Sequence, residues 1–198
     1  MTLTPKNENF ELFLPQRNSL FIRGLLLTAA GGLLTLLSVI HPDVRIMSQS
    51  SSWLPFVAFM ILISSALTSI DAFILRHSKE FFINLHVAIS DGVIGLILLT
   101  ELNKSPERLI LLSAAYLAIK GLFRIFAAVN MQFSQGKSAT WGGFVSLLLG
   151  ILLWQEWPFS SLWFICFCLS LDIMTRGWAL IRFGLWLKDI YNRSDCSF

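Results

Sequence analysis

The sequence predicts an all-α membrane protein, and three observations lead to that prediction. The chain has 198 residues, of which 55% are hydrophobic and only 14% charged, whereas ordinary soluble domains have about 25% charged residues. It contains six apolar stretches near the length of roughly 20 residues that a helix needs to cross a bilayer. These stretches are continuously apolar and rich in Leu and Ala, whereas the strands of a membrane β-barrel alternate apolar and polar residues. We expect no large catalytic domain outside the membrane.

The hydropathy pattern predicts six transmembrane helices. Their approximate ranges are 20–40, 53–75, 81–100, 109–129, 141–155 and 162–183. The fifth is short, but residues 138–155 carry no charge, and Trp141, Trp154 and Trp157 are suited to anchor its ends at the membrane interface. Together the helices predict a membrane domain over 20–187, with a leader at 1–19 and a tail at 188–198. The leader contains Glu8 and Glu11, which argues against a signal peptide.

The basic residues predict the orientation of the chain in the membrane. Lys and Arg close to helix ends are retained on the cytoplasmic side. On the side of the N-terminus lie nine of them: Lys6, Arg17, Arg23, Arg76, Lys79, Lys137, Arg182, Lys188 and Arg193. On the other side lie three: Arg45, Lys104 and Arg108. Both termini are therefore predicted to be cytoplasmic. Because the basic residues are scattered at helix ends, we expect no nucleic-acid partner.

An internal repeat divides the six predicted spans into three helical hairpins. Each odd-numbered span carries small residues seven apart and is followed by a proline. The matching positions are Gly24, Gly31 and Pro42, then Ala88, Gly95 and Pro106, then Gly143, Gly150 and Pro158. Glycines two turns apart on one helix face let backbones approach closely, which is how helices associate in lipid. Each hairpin needs neighbours to cover this face, so we expect one domain.

The third hairpin carries the clearest form of the repeat. It reads WGGFVSLLLGILL over 141–153, then Trp157-Pro158 and Leu162-Trp163, and LDIMTRGW over 171–178. This pattern resembles the repeat of the HdeD family, small six-span proteins of the bacterial inner membrane named for a member associated with acid resistance. The resemblance covers about 23–187, and in the second hairpin Lys120 stands where the repeat has an acid. It implies an inner-membrane location and a link to acid stress, and it brings no catalytic residues.

Charged residues inside the predicted spans form a candidate polar network. Each costs at least about 2.5–3.5 kcal/mol to insert at bilayer depth, so each requires a partner or a function. The candidates are Asp71, His86, Asp91, Lys120, Arg124, Asp172 and Arg176. Their three acids and three bases sum to zero formal charge. Asp172 and Arg176 are four residues apart on one helix, in the order that favours a direct ion pair.

Lys120 and Arg124 have the same spacing but carry like charges, so an acid from another helix is expected between them. The candidate acids are Asp71, Asp91 and Asp172.

Two interpretations of this network stay open. It is either a set of ion pairs that specifies which helices pack together, or a pathway for protons or ions. In the second case Asp91 is the expected titrating group, because Val87 and Gly95, one turn away on its own helix, offer it no partner. His86 lies on a different face from Asp91, which favours a packed or cytoplasm-facing histidine over a metal ligand.

The sequence contains no motif for catalysis. There is no glycine-rich phosphate loop, His-Glu-x-x-His or Gly-x-Ser-x-Gly, and Cys166 and Cys168 have neither a disulfide framework nor a zinc-ligand spacing. We expect no enzyme, cofactor or metal. The leading hypothesis is a non-enzymatic, HdeD-like inner-membrane protein that contributes to acid or envelope stress tolerance, in contact with lipid and associating with itself or another membrane protein. The alternative is a small proton, ion or solute transporter or channel.

Overall fold

The described part of the chain forms six α-helices. A computed structural model describes residues 17–41, 53–74, 81–101, 106–130, 136–155 and 162–195, and each of these segments is helical. The helices are α1 (Arg17–Ile40), α2 (Leu54–Ile74), α3 (Phe81–Glu101), α4 (Pro106–Asn130), α5 (Gly136–Trp154) and α6 (Leu162–Asp195). The all-α prediction is confirmed for this part of the chain.

Some sequence predictions concern residues outside the described segments. These are most of the leader, at 1–16, the last residues of the tail, at 196–198, and the connections between helices. Pro42 and Pro158 of the repeat lie in those connections, as do the orienting residues Arg45, Arg76, Lys79 and Lys104. Pro106 of the repeat is the first residue of α4, a position where its missing N–H costs no helical hydrogen bond.

Four of the helices contain segments long and apolar enough to cross a membrane. They are Leu20–Ile40, Leu54–Phe73, Glu107–Val129 and Leu162–Leu185. Helix α5 contains a shorter apolar stretch, Thr140–Trp154. By length and composition, these segments indicate a helical membrane protein. The total of six spans stays a prediction.

Two helices extend well beyond their predicted spans. Helix α6 continues to Asp195, through most of the predicted tail, and α5 begins at Gly136, five residues early. The span prediction followed the apolar residues alone, whereas a helix continues into polar sequence until something interrupts it. Residues 185–195 contain no glycine or proline, so nothing in their local sequence ends α6.

Glycines bring two pairs of antiparallel helices into backbone contact. Between α1 and α6, a Cβ at Gly31 would lie 2.7 Å from the backbone nitrogen of Met174, and one at Gly177 would lie 2.5 Å from that of Thr28. Between α4 and α5, a Cβ at Gly121 would lie 2.5 Å from the backbone nitrogen of Leu147. No larger residue fits at these positions without separating the helices, as expected for glycine-mediated packing in membranes.

Helices α2 and α3 form the third close pair. A Cβ at Gly95 would lie 2.8 Å from the side chain of Leu62, and the Ser65 hydroxyl donates a 2.7 Å hydrogen bond to the carbonyl of Ala88. The predicted hairpins are α1–α2, α3–α4 and α5–α6, but each helix packs most extensively against a helix of another hairpin: α1 with α6, α2 with α3, and α4 with α5. Neighbours cover the glycine faces as expected, while the repeat itself stays a prediction.

The apolar core occupies one half of the bundle. Its largest fully buried side chains lie where α2, α4 and α6 begin and where α3 and α5 end. They include Leu54, Leu98, Leu109, Leu153 and Ile165. The buried charged residues lie next to this core, towards the other end of the bundle, at Asp91 on α3, Lys120 on α4 and Asp172 on α6. The bundle thus has an apolar half and, next to it, a layer of buried charge.

Candidate functional site

Lys120 of α4 lies at the centre of the buried charged layer. Its side chain is 8% exposed, and its Nζ is 2.6 Å from the Tyr116 hydroxyl, 2.8 Å from Asp172 Oδ2 and 2.9 Å from Asp91 Oδ1. An ammonium group has three protons, and three oxygens surround it: those of Tyr116 and Asp172 accept hydrogen bonds, and that of Asp91 forms an ion pair. Lys120 therefore joins α3 and α6 to α4.

Asp91 of α3 is almost completely buried and has a partner on each carboxylate oxygen. Oδ1 accepts a 2.5 Å hydrogen bond from the Tyr116 hydroxyl and faces Lys120, while Oδ2 forms an ion pair with Arg176 Nη1. The sequence offered Asp91 no partner on its own helix, and the structure supplies its partners from α4 and α6. These contacts compensate the cost of burying the carboxylate.

Asp172 of α6 has partners from α4 and α5. Its Oδ1 accepts hydrogen bonds from Ser146 Oγ at 2.5 Å and Arg124 Nη1 at 3.3 Å, and Oδ2 accepts one from Lys120. The expectation that an acid from another helix separates Lys120 and Arg124 is confirmed for Asp172. The Ser146 hydroxyl also lies 3.0 Å from the carbonyl of Gly142, so its single proton has two acceptors within reach.

Arg176 corrects one sequence prediction. Its spacing on α6 favoured an ion pair with Asp172, but its guanidinium reaches across the bundle to Asp91 on α3 and to Ser64 and Thr68 on α2. The reason is that partners from α4 and α5 already occupy both Asp172 oxygens. The long arginine side chain extends instead to a carboxylate and two hydroxyls on other helices.

Asp71 does not join the central layer. It forms a 2.8 Å ion pair with Arg23, which links α2 to α1, and both side chains are about one quarter exposed. In the sequence, Arg23 is one of the basic residues that predict the orientation of the chain in the membrane, so its pair with Asp71 is not predicted. Without Asp71, the central network consists of two carboxylates and three cations, and its formal charge is +1 instead of the zero expected from the sequence.

His86 also lies outside the network. Its residue is exposed, and its ring packs against Phe123 with centroids 4.4 Å apart. Five of the seven candidate residues therefore meet: Asp91, Lys120, Arg124, Asp172 and Arg176. Within the described residues, no group of three His, Cys, Asp or Glu side chains is placed to hold a metal ion.

Hydroxyl groups complete the network, and the sequence prediction missed them. Tyr116 lies one turn before Lys120 on α4, and its hydroxyl accepts from Lys120 and donates to Asp91. That spacing was a usable signal, because residues four apart share a helix face. Ser64, Thr68 and Ser146 lie on helices with no charged residue of the network, so spacing within the sequence could not reveal them.

The network can hold charge and align helices. All three of its cations and both its acids have hydrogen-bond partners within the protein, and contacts reach five helices, α2 to α6. No family model, curated protein or solved structure matches the chain. The fold and the site therefore define a class, a helical membrane protein with a buried ion network.

Proposed function

We propose that this chain is a non-enzymatic, HdeD-like protein of the bacterial inner membrane that contributes to acid or envelope stress tolerance. In this proposal it crosses the bilayer six times, both termini lie in the cytoplasm, and it acts by associating with itself or with another membrane protein. The similarity of its third hairpin to the HdeD repeat motivates the stress role. The network serves to fix how its helices pack.

The observation that carries the packing role is the saturation of Lys120. Its three protons face oxygens of Asp91, Tyr116 and Asp172, so it has no further proton available for a transported ligand. A buried ion pair adds little net stability over apolar residues of similar volume, but an arrangement that leaves one partner unpaired is costly, so the pairs favour one packing of the helices. A saturated network that joins five helices supports a fixed bundle.

Acid survival of a deletion strain tests the stress role. Deletion should lower survival after acid challenge, and the wild-type gene should restore it. Asp172→Asn should restore it poorly, because it removes the acid between Lys120 and Arg124. Glu107→Gln is the matched control, because Glu107 is an exposed carboxylate in the first turn of α4. Survival of the deletion strain equal to its parent under acid and envelope challenge contradicts the proposal.

A second candidate function is proton transfer across the bundle. A continuous chain of hydrogen bonds favours it, from Arg176 through Asp91, Tyr116 and Lys120 to Asp172. Proton flux in proteoliposomes under an imposed pH gradient separates the two functions. Flux that Asp91→Asn abolishes supports a transporter or channel, and absence of flux in folded protein supports the fixed bundle.

A further inference from the structure

A groove of about 450 Å³ opens between α5 and α6 at the end of the charged layer away from the apolar core. Its lining combines two tryptophans, apolar groups and one cation, and among the described residues that line it there is no carboxylate. The lining residues are Trp141, Gly142, Val145, Met174, Thr175, Trp178 and Arg182. Nothing in the proposed packing role of the network uses this groove.

One cation of the network, Arg124, lies next to this groove. Of the three cations of the network, Arg124 is held most loosely, because its nearest acceptor, Asp172 Oδ1, is 3.3 Å away and also binds Ser146. A Cβ built on Gly142 would meet one atom within 4 Å, Arg124 Nη1 at 3.9 Å. The groove is therefore open at Gly142, and the guanidinium of Arg124 lies next to this lining glycine.

The cation in the lining of the groove is Arg182. Arg182 is exposed and, among the described residues, has no ion-pair partner. Trp141 and Trp178 flank the groove with 70% and 55% of their surface exposed. Tryptophan rings are enriched at the level of lipid headgroups, where their apolar face and their N–H group are both accommodated. The groove thus combines the Arg182 guanidinium and two exposed aromatic rings in its lining with the Arg124 guanidinium next to Gly142.

We propose that this groove binds an anionic phospholipid, with its phosphate between Arg182 and Arg124 and the start of an acyl chain against Val145 and Met174. A phosphate complements a lining whose one charged residue is the cation Arg182 and which, among the described lining residues, has no carboxylate. The groove lies beside the α6 segment Leu162–Leu185, which is apolar enough to cross a membrane, and two of its lining residues, Trp141 and Trp178, are exposed. Guanidinium groups suit phosphate because they donate paired hydrogen bonds.

Lipid retention by the purified full-length protein tests the proposal. Native mass spectrometry would compare phosphatidylglycerol with zwitterionic phosphatidylcholine at equal mole fraction in detergent micelles. Arg182→Gln should weaken phosphatidylglycerol binding about fivefold, the attraction expected of one cation near the headgroups. Arg108→Gln is the matched control, because Arg108 is an exposed arginine near the start of α4, at the other end of that helix from Arg124. It should bind phosphatidylglycerol as the wild type does.

Filling the groove gives a second, independent variant. Gly142→Leu should also reduce phosphatidylglycerol binding, because its side chain would extend into the open space that Gly142 leaves. Gly142→Ala, which adds the Cβ alone, checks that the backbone tolerates substitution. Equal retention of the two lipids, or unchanged phosphatidylglycerol binding in both Arg182→Gln and Gly142→Leu, overturns the proposal. Binding of inorganic phosphate as tight as that of phosphatidylglycerol identifies a soluble anion and overturns the lipid assignment.

Discussion

Replacing Asp172 by Asn should strongly destabilise the buried charged layer. The substitution preserves the shape of the side chain and removes its charge. It leaves Lys120 and Arg124, one turn apart on α4, without the carboxylate that both contact at 2.8 and 3.3 Å. The formal charge of the network rises from +1 to +2, in a site where Asp172 is 2% exposed.

The expected loss of stability is about 3 kcal/mol. Removing one partner of a buried ion pair costs about 3–5 kcal/mol, because the remaining charge loses its compensation. We expect the lower end, since Lys120 keeps Asp91 at 2.9 Å and the carbonyl of Asn still accepts one hydrogen bond. A loss of this size lowers the ratio of folded to unfolded protein by about a hundredfold.

Lys120→Met provides the informative comparison. It lowers the formal charge of the network from +1 to zero, and each carboxylate keeps an arginine: Asp91 keeps Arg176, and Asp172 keeps Arg124. We therefore expect a smaller loss than in Asp172→Asn. The double variant should lose less than the sum of the two single losses, by about 0.5–3 kcal/mol, because the two residues contact each other directly.

Unfolding in mixed micelles, with increasing sodium dodecyl sulfate and circular dichroism as the signal, measures these differences. Glu107→Gln, which changes an exposed carboxylate at the start of α4, should shift the free energy of unfolding by less than about 1 kcal/mol. If Lys120→Met destabilises the protein as much as Asp172→Asn, the reasoning from net charge is refuted.

Three further predictions use the same unfolding assay. Gly121→Val should prevent stable folding, because its Cβ would lie 2.5 Å from a backbone nitrogen of α5, whereas Gly142→Ala should not destabilise the protein, because its Cβ meets nothing closer than 3.9 Å and alanine favours the helix; equal stability of the two variants would exclude backbone contact at Gly121. Ser146→Ala should cost about 1.5–3 kcal/mol through loss of its hydrogen bond to the buried carboxylate of α6, and an unchanged midpoint would show that this bond contributes nothing. Asp71→Asn should cost at most about 1 kcal/mol, since its pair with Arg23 is partly exposed, and a loss as large as that of a buried pair would contradict this separation.

The sequence by itself determined the helical class and the positions of the helices. Both depend on local properties, the length of apolar runs and their boundaries, so the described helices begin and end within a few residues of most predicted spans. Glycines seven apart on one helix likewise predicted where backbones approach closely, because that spacing defines a helix face before any partner is known. The reliance on apolar residues also explains the error at α6, because the apolar stretch ends before the helix does.

Only the tertiary structure decided which charges meet. The spacing of Asp172 and Arg176 favoured a pair within α6, but Arg176 contacts Asp91, 85 residues away in sequence. Asp71 pairs with Arg23, which leaves the central network with one positive charge more than the sequence total suggested. Each charged residue could pair with several residues of opposite charge. Spacing in the sequence distinguishes only among candidates on the same helix. The choice among all the candidates follows from how the helices pack. Glycine contacts join α2 to α3 and α4 to α5, and the packing of these pairs against each other and against α6 brings the charged side chains together.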